Sequence, residues 1–181
     1  LGLYDPATSM FYLTNGTLGG YADIAFGYGM PGAGWQPLSG DWDADGQDTV
    51  ALYDPSTSIF YFIDSFGTKP ADWVAGFGVP NSGWQPVVGD WNGDGYDTMA
   101  LFDPATAMYY QRNSLTQGYA DNAFPYGAAG SGWVPLSGDW DGPGVYVALQ
   151  AVEVGSGVSD PALTAAQAEP IAQAALARWT E

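Results

Sequence analysis

The hydrophobic positions of this chain come in runs too short for helices, divided by Gly, Pro and Asp. Thr98-Met99-Ala100-Leu101-Phe102, like Val50-Ala51-Leu52-Tyr53 before it, is apolar, β-prone and stopped by an Asp-Pro pair. After the second of these turns comes Ile59-Phe60-Tyr61-Phe62-Ile63, β-branched and aromatic throughout and closed by Asp64-Ser65-Phe66-Gly67. The two runs around Asp54-Pro55 therefore predict a hairpin. The segment 71–78 alternates large and small residues, and Trp84-Gln85-Pro86-Val87-Val88-Gly89 predicts a further strand leading into an acidic loop.

The same text is written three times. Tyr4-Asp5-Pro6, Tyr53-Asp54-Pro55 and Phe102-Asp103-Pro104 stand 49 residues apart, as do Gly34-Trp35, Gly83-Trp84 and Gly132-Trp133, and Gly40-Asp41-Trp42, Gly89-Asp90-Trp91 and Gly138-Asp139-Trp140. The units run over 1–49, 50–98 and 99–147 in constant register. Three or four short strands per unit, punctuated by Gly and Pro, predict an all-β chain of tandem repeats, each unit one blade or coil. Beyond the repeats, 148–163 reads as a linker and 164–181 as a helical tail. There Thr164 and Gln167 have capping-box spacing, and Ala168, Ile171, Ala172, Ala175, Leu176 and Trp179 follow helical spacing. Pro170 falls inside that pattern, which places it near the first turn of a short helix.

Charge narrows the chemistry. The 20 carboxylates face only three basic residues, for a net charge of -17. A nucleic-acid binder needs clustered Lys and Arg to displace counterions, so nucleic acid and anionic membrane surfaces are excluded as partners. No apolar run has the length of a membrane span, so membrane insertion through a helix is not expected. Neither His nor Cys occurs. That excludes Ser-His and Cys-His nucleophiles, thiol redox centres, disulfides and zinc sites of the usual ligand types. Most of the carboxylates fall in recurring columns: the Asp-Pro turn, then Asp23, Asp72 and Asp121, then the acidic loops.

Those loops hold the candidate chemistry. Asp41-Trp42-Asp43-Ala44-Asp45-Gly46-Gln47-Asp48 and Asp90-Trp91-Asn92-Gly93-Asp94-Gly95-Tyr96-Asp97 place oxygen side chains at positions 1, 3 and 5, with Gly at 6 for a sharp turn. One tight loop can thereby wrap several hard ligands around one cation, and calcium, with six to eight flexible oxygen ligands, fits best. The carbonyls of Gln47 and Tyr96 are expected as further ligands, with Asp48 and Asp97 completing the shells. Carboxylates this close repel one another, so without an ion the loops are expected to be loose. The bland alternative is that Asp and Gly are merely turn residues. The third copy, Asp139 to Tyr146, has Pro143 and Tyr146 in place of the acids at positions 5 and 8 and is expected to be degenerate, leaving two calcium sites.

Gly-Asp-Trp-Asp-x-Asp-Gly, followed by a short apolar strand, an aromatic hairpin and a Gly-Trp-x-Pro stretch, resembles the FG-GAP and VCBS class of calcium-binding repeats. The resemblance covers 1–147 and implies β-propeller blades in secreted or cell-surface proteins. This chain departs from the family at the loop's end, where Thr49 and Thr98 stand in place of an Asp and the acid comes one residue earlier. Residues 163–179 are also similar to a helix found after such repeats in large bacterial surface proteins.

The expectation is thus a propeller-like array, partial or completed by neighbouring subunits, plus a C-terminal helix. Its role would be that of an extracellular structural or adhesive module whose partners are further repeats or other chains, in a ring or filament. Two competing classes stay open. Repeated aromatics such as Trp35, Trp84 and Trp133 can stack on glycans, although a residue recurring once per unit reads more economically as inter-blade core, with Trp42 and Trp91 the expected exceptions. A carboxylate-pair glycosidase needs an acid that breaks the repeat, as Asp64 and Glu153 do.

Overall fold

A computed structural model describes residues 1–17 and 19–138. The expected linker, C-terminal helix and third acidic loop lie outside the described residues. Within them the chain is all-β, in three antiparallel sheets. The first contains β1 (Gly2–Asp5), β2 (Met10–Leu13) and β3 (Ile24–Gly27), ordered β1-β2-β3. The second contains β4 (Gln36–Gly40), β5 (Thr49–Asp54), β6 (Ile59–Phe62) and β7 (Trp73–Gly76), ordered as in the chain. The third repeats it with β8 (Gln85–Gly89), β9 (Thr98–Asp103), β10 (Met108–Gln111) and β11 (Asn122–Pro125).

Sheets and sequence units share a period but differ in phase. Strand β4 ends the first unit yet pairs with β5 of the second, Leu38 opposite Ala51 and Gly40 opposite Thr49; β8 pairs with β9 in the same way. Each described acidic loop is therefore the connection inside one sheet's first hairpin. Pro37 and Pro86 sit on β4 and β8, the edge strands, where a missing N–H breaks no ladder.

The unbroken apolar runs have their cause in burial on both faces. All six residues of β5 and of β9 are buried. Side chains alternate along a strand, so Val50 and Leu52 pack with Phe11, Phe26 and Tyr28 of the first sheet's end. Ala51 and Tyr53 pack the other way, with Phe60 and Phe62 and with Met99 and Leu101 of the third sheet. Trp35 stacks on Tyr61 at 4.8 Å between centroids, and Trp84 on Tyr110 at 4.7 Å, so each joint between sheets repeats one aromatic pair. Beneath these rings Gly29 and Gly78 have positive φ of 98° and 100°, and a Cβ there would strike Leu52 and Leu101 respectively.

The Asp-Pro turns are closed by their own aspartates. The carboxylates of Asp5, Asp54 and Asp103 each accept the backbone N–H two residues on, at 2.9 Å, and the hydroxyl of Thr8, Thr57 or Thr106. That side-chain turn pins the β1–β2, β5–β6 and β9–β10 hairpins.

Candidate metal centre

Loop 41–48 leaves β4 at Gly40 and enters β5 at Thr49. Its first carboxylate closes it: Asp41 accepts the N–H groups of Asp45 at 3.1 Å and Gly46 at 2.8 Å, and Asp45 accepts that of Gln47 at 2.7 Å. Ala44 and Gly46 have positive φ of 60° and 85°. The chain thereby folds back so that one oxygen each of Asp41, Asp43 and Asp45 lies within 4.8 Å of the others. Calcium holds oxygens at about 2.3 to 2.6 Å, so ligands on opposite sides of one ion stand about 5 Å apart. The three oxygens fit that sphere.

Loop 90–97 repeats the design. Asp90 accepts from Asn92, Gly93 and Asp94 on one oxygen and from Gly95 on the other, and Asp94 accepts from Tyr96 at 3.0 Å. Asn92 donates its side-chain amide to Asp94 at 2.9 Å, a contact that the carboxylate of Asp43 cannot make with Asp45. Gln47 and Tyr96 are both exposed, and it is their N–H groups that Asp45 and Asp94 accept. Loops of this kind are therefore held partly by their own N–H groups.

The two final acids behave differently. Asp48 is exposed. Asp97 reaches out of its own loop into the neighbouring one: its carboxylate accepts the N–H of Asp41 at 3.0 Å, while its N–H donates to the Asp41 carbonyl at 2.7 Å. Burial raises its carboxyl above the ordinary carboxylate value; the Asp41 N–H opposes this, and the charges of Asp48, Asp41 and Asp90 add to it. Gly40 makes room for the bridge, since a Cβ there would lie 2.9 Å from the Asp97 carboxylate and 2.8 Å from the Trp42 ring. Thr49, at the position where the resemblance places an acid, is buried and donates its hydroxyl to the Ile63 carbonyl at 2.6 Å. Its oxygen serves the sheet.

Charge partners separate these loops from the acids at 64, 72 and 121. Among the described residues the side-chain cations are Lys69 and Arg112, and both sit in the connections β6–β7 and β10–β11. Lys69 bridges Asp64 at 2.6 Å and Asp72 at 2.5 Å; Arg112 bridges Asp121 at 3.2 Å. The hydrogen bond from Lys69 holds the Asp64 carboxyl down at about 2. A glycosidase acid needs the opposite shift, and this out-of-repeat residue is accounted for by its lysine.

One expectation is corrected. Trp42 was to be an exception to core packing, yet it is 2% exposed and meets Phe62 edge-on at 4.9 Å; Trp91 is half-buried against Val87, Ala100 and Phe102. Alternation along the loop's first turn sends position 2 into the sheet while positions 1 and 3 stay with the acids. A Trp between two Asp residues carries no sequence signal for that inward turn. Comparison with protein-family models, with curated proteins and with solved structures gives no match.

Proposed function

We propose that this chain is a calcium-stabilised structural module of the cell exterior, its sheets being successive blades of a propeller-like array. One observation carries the reading. The acids at 64, 72 and 121 have a cation of the chain beside them, whereas Asp41, Asp43 and Asp45 converge with none among the described residues. A divalent ion is the neutralising partner that such a cluster lacks, and the absence of His and Cys leaves hard, oxygen-loving cations as candidates.

Mechanically, the ion would tie Asp41, Asp43 and Asp45 to the turn that joins β4 to β5. That hairpin leads into the most buried strand of its sheet, so fixing the loop fixes the register of the core. Asn92 in the second loop contributes a neutral oxygen, which makes that site one charge poorer and the weaker of the two. The resemblance to FG-GAP and VCBS repeats supports both the ion and an exterior location. There, modules bind calcium with dissociation constants of about 10⁻⁴ to 10⁻³ M. The adhesive role rests on the same resemblance.

Titration calorimetry with calcium, and separately with magnesium, tests this. Two calcium sites per chain, the tighter lost in Asp43→Asn, are expected. No saturable heat at millimolar calcium would overturn it.

A further inference from the structure

Asp41 and Asp97 are 56 residues apart in the chain, yet they exchange two hydrogen bonds. The Asp41 N–H donates to a carboxylate oxygen of Asp97 at 3.0 Å, and the Asp97 N–H donates to the Asp41 carbonyl at 2.7 Å. Two bonds running in opposite directions fix the orientation of the two backbones as well as their distance, and the one to the carboxylate is charge-assisted. The loops meet at a second point: a Cβ on Gly95 would stand at ordinary contact distance, 3.6 Å, from that of Ala44. Two acidic segments are thereby held side by side in spite of their like charge.

The clasp acts on the residue that organises loop 41–48. The two carboxylate oxygens of Asp41 accept the N–H groups of Asp45 and Gly46, and one oxygen converges with those of Asp43 and Asp45. The next residue, Trp42, is buried edge-on against Phe62. The Asp41 backbone is thus gripped by Asp97 on one side and by the sheet core on the other, which aims its carboxylate into the turn. Asp97 has little freedom of its own. It is half-buried and runs directly into Thr98, the first of the six buried residues of β9. It also ends the loop in which Asp90 accepts the Gly95 N–H at 2.8 Å and Asp94 that of Tyr96 at 3.0 Å. Whatever orders one loop therefore bears on the other through this one residue.

We propose that Asp97 is a positioning residue for the neighbouring loop, a clasp that joins the two acidic loops into one unit so that a divalent cation held in one tightens binding in the other. The coupling of ions rests on the cation reading given above, whereas the clasp is a property of the chain by itself. A cation in loop 41–48 fixes Asp41, Asp41 fixes Asp97, and loop 90–97 then has less ordering left to do when its own ion arrives. The effect is reciprocal, because a coupling free energy between two sites is the same from either side. Asp97 thus spends its carboxylate on Asp41 and leaves the ligands of its own loop to Asp90, Asn92 and Asp94.

Amide exchange and calcium titration of the full chain, both read by nuclear magnetic resonance, test it. Gly46 and Gly95 give one backbone reporter in each loop, since Asp41 and Asp90 accept their N–H groups. In EDTA, Asp97→Ala is expected to speed exchange at Gly46, whereas Asp97→Asn keeps an acceptor oxygen and is expected to stay close to wild type. In calcium, Asp43→Asn, at an exposed position, empties the tighter loop. It is expected to weaken the binding reported by Gly95 about fivefold or more, and to have no such effect once Asp97→Ala is present. Simple repulsion between the loops predicts the opposite sign, since an emptied loop is the more negative neighbour. Unchanged exchange at Gly46 in Asp97→Ala would overturn the clasp. Saturable shifts at both glycines with no effect of Asp43→Asn on Gly95, or with an effect that survives Asp97→Ala, would overturn the coupling and leave the cation reading standing. The absence of a saturable shift at either glycine would overturn the cation reading and the coupling with it, while exchange in EDTA still decides the clasp.

Discussion

The turns at 64–72 and 112–121 carry two aspartates and one, the loops at 41–48 and 90–97 four and three, and the two kinds of segment meet their negative charge differently. In the turns a Lys or Arg from the chain sits among the acids, Lys69 between Asp64 and Asp72 and Arg112 against Asp121, with Arg112 also donating to the carbonyls of Thr116 and Tyr119. The loops rely on backbone N–H groups and have no such cation among the described residues. A turn with its own counter-charge is stable in any buffer. A loop without one is, on the proposed reading, conditional on a cation that the solvent supplies.

The largest expected effect comes from removing calcium. At an ion concentration about 100 times the dissociation constant, one filled site stabilises by about 2.7 kcal/mol, which for a chain of this size is roughly 5 to 10 °C in melting temperature per site. Calorimetry in calcium against EDTA checks this; equal melting curves would erase the distinction between loops and turns.

Next comes Asp43→Asn combined with Asp45→Asn. This pair is expected to abolish about half of the calcium-dependent gain while raising the melting temperature in EDTA, because the mutual repulsion goes with the charges. A fall in EDTA would mean that the acids are held by something other than an ion.

Titration in EDTA sharpens the contrast further, because the two groups of acids have opposite signs. The carboxyl of Asp97 is raised, so its ionisation opposes folding; that cost disappears as pH falls through its folded value, and stability is expected to rise below neutrality. Asp64, lowered by Lys69, and Asp5 and Asp23, lowered by hydroxyl and N–H donors, act the other way. Their contribution is complete above the ordinary carboxylate value of 3.8 and is lost as pH falls below it, down to about 2 for Asp64. A maximum in stability between these limits, removed in Asp97→Asn, is the expected profile. A flat profile would show that burial of Asp97 carries no cost.

The smallest effect belongs to Lys69→Met. Its bridges are partly exposed and screened, so a slight loss of melting temperature is expected, equal in calcium and in EDTA. A calcium-dependent loss would break the separation between turn and loop.

How much of this could be read from the residues themselves varied by scale. The all-β class and the strands around Asp54-Pro55 followed from short apolar runs and Asp-Pro turns, because these are local preferences repeated without interruption. So did the convergence of Asp41, Asp43 and Asp45, since spacing within six residues leaves the backbone few ways to turn. The phase of the sheets was not legible: units cut at 49 and 98 divide the hairpins that β4 and β5, and β8 and β9, actually form. Periodicity is blind to where a period starts. The burial of Trp42 was missed for a related reason, as its neighbours in sequence are acids while its neighbours in space are Phe62 and the sheet core.

By itself, then, the sequence determined a period, a strand type, a conspicuous shortage of cations and two acid-rich loops. Tertiary structure alone decided that Asp97 serves the neighbouring loop, that Thr49 turns inward to Ile63, and that Trp35 and Trp84 are spent on the joints between sheets. The division has a simple cause. Local composition fixes which dihedral angles and charges are present, whereas the pairing of residues tens of positions apart depends on how the apolar faces of whole sheets come to cover one another.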